Sequence, residues 1–121
     1  MRLLPLSVVA ALGCFSGREP AGPADQRCGV PLTDDVPGST LSAIVGFAFQ
    51  PAELRVPVGQ RITWVNCEDN GAPHTSTADA GEWNSALLQP GDGFTRNFPE
   101  PGTFTYFCEV HPFMTGRVVV E

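Results

Sequence analysis

Turn residues interrupt this chain too often for it to build long helices. It carries 13 Gly and 12 Pro in 121 residues, and from residue 39 onward they fall between short apolar runs. Proline removes a backbone donor and glycine weakens a helix interior, so punctuation of this kind favours strands joined by turns. Ile44, Val45, Phe47 and Phe49 sit in a β-rich run that Pro51 ends. Leu54, Val56 and Val58 alternate with polar or small neighbours up to the Gly59-Gln60 turn, and residues 61–65 alternate again. Asn66 and the Glu68-Asp69-Asn70-Gly71 cluster stop that run. Further alternating runs at 94–98, 103–107 and 117–120 are separated by Pro90-Gly91-Asp92-Gly93 and Pro99-Glu100-Pro101-Gly102. Strands this short, at this spacing, predict an all-β sandwich over residues 39–121. A helical period is absent, with a single turn at residues 83–88 the one place that admits a helix.

The N-terminal part reads differently. Residues 1–13 hold one cation, Arg2, and then an apolar run too short to span a bilayer. They predict a secretory signal peptide, with Ala11 and Gly13 as the small residues before cleavage. Cys14 follows at once, so the segment also has the form of a lipoprotein signal in which Cys14 is lipidated; a free or disulfide-bonded Cys14 is the alternative. Residues 14–38 have no sustained hydrophobic period and read as a linker, either a tether or solvated slack. Export places the chain in the bacterial periplasm or cell envelope, where disulfides persist.

Charge excludes one class of function. The formal net charge is −6, and all seven cations are Arg. A chain without a basic stripe cannot neutralise phosphates, so nucleic acid is not an expected partner.

The chemistry is concentrated in Tyr106-Phe107-Cys108-Glu109-Val110-His111-Pro112-Phe113-Met114. Cys108, His111 and Met114 stand three residues apart between two strand signals, and the only other histidine is His74. Each has an ordinary reading alone: a structural cysteine, a loop histidine, a core methionine, a hydrogen-bonded histidine. Together they supply a thiolate, two imidazoles and a thioether, the set that suits copper in an electron-transfer site. Zinc fits less well, because its structural sites rarely use a thioether. Nucleophilic catalysis by Cys108 would need a paired base and an open pocket and would leave Met114 without a role, so an enzyme is not expected.

These residues, with the stretches FAFQPAELRVPVGQRITWVN, APHTST and LLQPGDGFTRNFPEPGTFTYFCEVHPFMTGRVVV, resemble the cupredoxins, specifically the plastocyanin, amicyanin and pseudoazurin group, over residues 42–121. The resemblance implies a Greek-key β-sandwich with one copper ion at one end, held by His74, Cys108, His111 and Met114, and a role in carrying single electrons. In that group Asn often follows the first histidine and braces the site; Thr75 stands there in this chain. The resemblance also implies an apolar docking patch around His111, here Ala72, Pro73, Pro112 and Phe113, although Pro112 and Phe113 equally suit loop stiffening. Glu68, Asp69, Asp79, Glu82 and Glu109 are either a solvated face or a surface that steers a basic partner. The implied partners are redox proteins, a cytochrome or another oxidoreductase, for a monomer that meets the membrane only through a lipid anchor. Copper storage or delivery in the periplasm, and an interaction module without metal, are the competing functions.

Four cysteines allow three pairings if all are oxidised. Here Cys108 is reserved as ligand and Cys14 as anchor, which leaves a Cys28–Cys67 disulfide as the expected crosslink. A second metal site from those two thiols is its alternative.

Overall fold

The computed structural model describes Cys28 and residues 38–121. The signal peptide at 1–13, the lipidation site Cys14 and the linker up to residue 37, apart from Cys28, lie outside the described residues. Eight strands follow one another: β1 (Thr40–Ile44), β2 (Phe49–Gln50), β3 (Glu53–Val56), β4 (Gln60–Asn66), β5 (Thr77–Ala78), β6 (Gly93–Phe98), β7 (Gly102–Phe107) and β8 (Thr115–Val120). They form two four-stranded sheets, one ordered β2-β1-β4-β6 and the other β3-β8-β7-β5. The β1–β4 and β3–β8 pairs are parallel and the remaining pairs antiparallel. This is the β-sandwich that the resemblance implies.

Alternation explains the packing. Successive side chains of a strand point to opposite faces, so Ile62 and Trp64 of β4, Tyr106 of β7 and Val118 and Val120 of β8 meet between the sheets. Trp64 is the hub: Trp83 stacks on it at 5.6 Å, and Tyr106 meets it edge-on at 5.3 Å. Leu41, Ala43, Val65 and Cys67 alternate with the inward residues and form a second apolar cluster, against which Cys28 and Val45 pack.

Two local expectations are revised. The β-rich run 44–49 is split, because Gly46 and Phe47 adopt left-handed φ values of 66° and 57° and turn the chain between β1 and β2. Residues 83–88 form no helical turn. Their backbone bonds the segment 74–78 instead: the Ala78 N–H donates to Trp83 O, the Ser85 N–H to Ser76 O and the Leu88 N–H to His74 O. Those groups are therefore not free for the local bonds that a helix needs.

Candidate metal centre

Cys108 directly follows β7, and a short loop carries the chain from it to β8. That loop is closed by its own backbone. The Cys108 N–H donates to Met114 O at 3.1 Å, and the Met114 N–H donates to His111 O at 2.9 Å. His74 is fixed independently by an antiparallel bridge to Leu88, its N–H donating to Leu88 O at 3.1 Å. Two loops held by separate backbone bonds therefore bring three of the sequence-predicted ligands together.

His74 Nδ1 lies 3.2 Å from His111 Nδ1, and the Cys108 sulfur lies 3.7 Å from the first and 4.0 Å from the second. An ion bound at roughly 2.0–2.1 Å to nitrogen and 2.3 Å to sulfur allows at most about 4.2 Å between two nitrogens and about 4.4 Å between nitrogen and sulfur. All three separations fall inside those limits, so the donor set fits one ion. His74 and Cys108 are fully buried and His111 is partly exposed. Met114 is 2% exposed and belongs to the same core cluster as Cys108.

Glu68, which the sequence grouped with the surface acids, is buried at this site. Its side chain is only 4% exposed, and Oε2 lies 2.8 Å from His74 Nε2. The Phe47 N–H donates to Oε2 at 2.8 Å and the Gly46 N–H to Oε1 at 3.2 Å. Burial alone would raise the Glu68 carboxyl. The hydrogen bonds from Phe47, His74 and Gly46 outweigh it and hold the group below its ordinary value, ionised. His74 is pushed down, first by burial and against the pull of Glu68. A neutral His74 that donates from Nε2 to the carboxylate leaves the Nδ1 lone pair for a metal, and the carboxylate raises its basicity. No sequence signal separates Glu68 from its exposed neighbour Asp69. What distinguishes it is the pair of N–H groups from a loop more than twenty residues earlier.

Thr75 supplies bracing where the resembling proteins often have Asn. Its N–H donates to the Cys108 sulfur at 3.3 Å, and its Oγ1 accepts the Glu109 N–H at 2.8 Å. It thus ties the two loops together and places a positive dipole on the Cys108 sulfur.

Of the expected docking residues, Ala72 and Pro73 are partly exposed and Pro112 and Phe113 exposed, and the Phe113 ring lies 6.1 Å from that of the partly exposed His111. Phe47, absent from that expectation, stands edge-on to His111 at 5.0 Å and to His74 at 5.5 Å. Cys28 and Cys67 are joined as a disulfide, with their Cα atoms 4.7 Å apart, and Cys108 is free.

The comparisons with known proteins agree with this centre. A family model described as copper binding proteins, plastocyanin/azurin family, matches residues 38–121. Amicyanin-alpha of Methylorubrum extorquens is 34% identical over 122 residues, 96% of this chain and 98% of its own length. Amicyanin of Paracoccus denitrificans is 35% identical over 89 residues, 69% of this chain and 66% of its own. A solved structure of a reduced amicyanin variant superposes with a TM-score of 0.66 at 29% identity, covering 76% of this chain and 92% of that one.

Proposed function

Because this chain belongs to the plastocyanin/azurin family of copper-binding proteins, we propose that it is a mononuclear blue copper protein that shuttles single electrons between redox partners in the cell envelope. The observation that carries this reading is the convergence of His74 Nδ1, Cys108 Sγ and His111 Nδ1 within the reach of one ion. One copper ion is the cofactor, and when bound it supplies the Cu(II)/Cu(I) couple. Met114 is the fourth ligand in this reading, supported by its buried place beside Cys108. A mixed nitrogen and sulfur set is acceptable to both oxidation states, so little of the chain need move on electron transfer.

The residues divide the work. Buried His74 and Cys108 keep water from the thiolate, and the Thr75 N–H partly offsets its negative charge. Glu68 fixes the His74 ring and its tautomer. His111 is the ligand that reaches the surface, which makes its ring edge the exit for the electron. Of the five exposed large hydrophobics among the described residues, Val110 and Phe113 lie on the Cys108–Met114 loop, Leu87 precedes the Leu88 that bridges His74, and Phe47 meets both histidine rings edge-on; only Val58 has no such link. An apolar patch of that kind suits brief docking of a redox protein. The chain is then a carrier rather than an enzyme. Export by residues 1–13 and lipidation at Cys14 belong to the same proposal, and the mass of the mature chain reads both.

The test is optical and electrochemical. Cu(II) loading is expected to give the intense visible absorption of a copper–thiolate bond, with reversible one-electron reduction and copper retained. Cys108→Ala is expected to abolish the colour. A colourless loaded wild-type protein would sink the proposal, and release of the ion on reduction would mark copper delivery instead.

A further inference from the structure

The end of β4 is held with unusual completeness. The Asn66 side chain donates to Ala72 O at 2.9 Å and Leu88 O at 2.8 Å, and its Oδ1 accepts the Glu68 N–H at 2.9 Å. Cys67 lies between Asn66 and Glu68, 2% exposed, and its N–H donates to Ile44 O at 2.8 Å. Its side chain is bonded to Cys28, 39 residues earlier, and both cysteines pack on Leu41, Ala43 and Val65. The residue immediately after this crosslink is the carboxylate that holds His74.

We infer that the Cys28–Cys67 disulfide is a positioning element of the metal centre, acting through Glu68. The Cys67 backbone is pinned from two sides, by the disulfide on the outer face of its sheet and by Ile44 O along the strand. That leaves Glu68 one direction in which to project, into the N–H groups of Gly46 and Phe47 and the His74 ring. Opening the disulfide with a dithiol consumes two electrons and two protons, forms two thiols and oxidises the dithiol to its own disulfide. Cys28 then leaves the Leu41, Ala43 and Val65 cluster, Cys67 loses its lateral support, and the Glu68 carboxylate samples positions away from His74 Nε2. His74 becomes a poorer donor, which destabilises Cu(II) relative to Cu(I) and raises the potential. Cys28 is the more exposed of the two sulfurs and is the one a reductant reaches first.

The inference rests on His74 being a copper ligand, and the experiment separates the two. In Cys28→Ser the expected results are an upward shift of the reduction potential and at least tenfold faster solvent exchange of the His74 Nε2 proton, read by NMR on both metal-free and Cu(I) protein. Glu68→Gln is expected to shift the potential in the same direction, and the Cys28→Ser/Glu68→Gln double variant to shift it by less than the sum of the two. If Cys28→Ser does not fold, folded Cu(I) protein is opened with dithiothreitol, alkylated at the freed thiols and measured in the same way. A disulfide that only stabilises would lower the melting temperature and leave both the potential and the proton exchange unchanged, which overturns the inference. A wild-type protein without the copper–thiolate colour would instead overturn the ligand assignment.

Discussion

Thr75 and Met114 act on Cys108 from within the same small volume, and they differ in how readily a substitution isolates them. The Thr75 contact with sulfur is made by the backbone N–H, so most side-chain changes leave it in place. In the proposed site Met114 contributes only its side chain to the metal, while its backbone closes the loop. Met114→Leu is therefore expected to keep copper and colour, to leave the fold intact and to raise the potential, because losing a sulfur donor disfavours Cu(II) more than Cu(I). Voltammetry and the visible spectrum of the loaded variant check this. The grouping of His74, Cys108 and His111 was legible because Cys108 and His111 stand three residues apart and the chain holds just two histidines. Glu68 was not. Its burial depends on where the β1–β2 turn delivers two N–H groups, and no local pattern around residues 66–71 encodes that.

Strand existence was legible from alternation, most clearly in β4 and β8, where Ile62, Trp64, Val118 and Val120 mark the inward face. Pairing was not. β1 runs parallel to β4 and β3 parallel to β8, and no periodicity within a strand specifies its neighbour. The β7–β8 pair carries the loop that holds three of the predicted ligands, and its register puts Tyr106 opposite Gly116. A Cβ at Gly116 would stand 2.5 Å from the Tyr106 ring and hydroxyl. Tyr106 is fully buried against Trp64 and Phe49 and has nowhere to retreat. Gly116→Ala is expected to cost about 1–3 kcal/mol by overpacking, read as a lower denaturation midpoint of the metal-free protein. Copper binding by the folded fraction should persist, since the ligand loop is closed by its own hydrogen bonds.

At the scale of the molecule, the sandwich separates a buried aromatic core from one metal-bearing end. Phe113 is 70% exposed and its ring lies 6.1 Å from that of His111, the exit in the proposed function. Phe113→Lys is expected to slow electron self-exchange between two copies at least tenfold, through repulsion and loss of apolar contact, while the potential stays at the wild-type value. NMR line broadening in mixtures of Cu(I) and Cu(II) protein measures that rate. An unchanged rate would return Phe113 to loop stiffening and move the docking surface elsewhere.

The disulfide also redraws the covalent path of the chain. β1 begins at Thr40, opposite Ile62, whereas Cys67 lies past the other end of the same pairing, where Ile44 meets Asn66. With Cys28 bonded there, the backbone from 28 to 67 is a closed ring, and Cys28 itself is fixed at the metal-bearing end of the sandwich. Any anchorage upstream of Cys28 is thus a leash fastened at the metal-bearing end. A leash of that kind sets the effective concentration of the copper site near whatever surface it is tied to. Cutting the crosslink would move the point of attachment to the other end of the β1–β4 pairing, where Thr40 lies opposite Ile62.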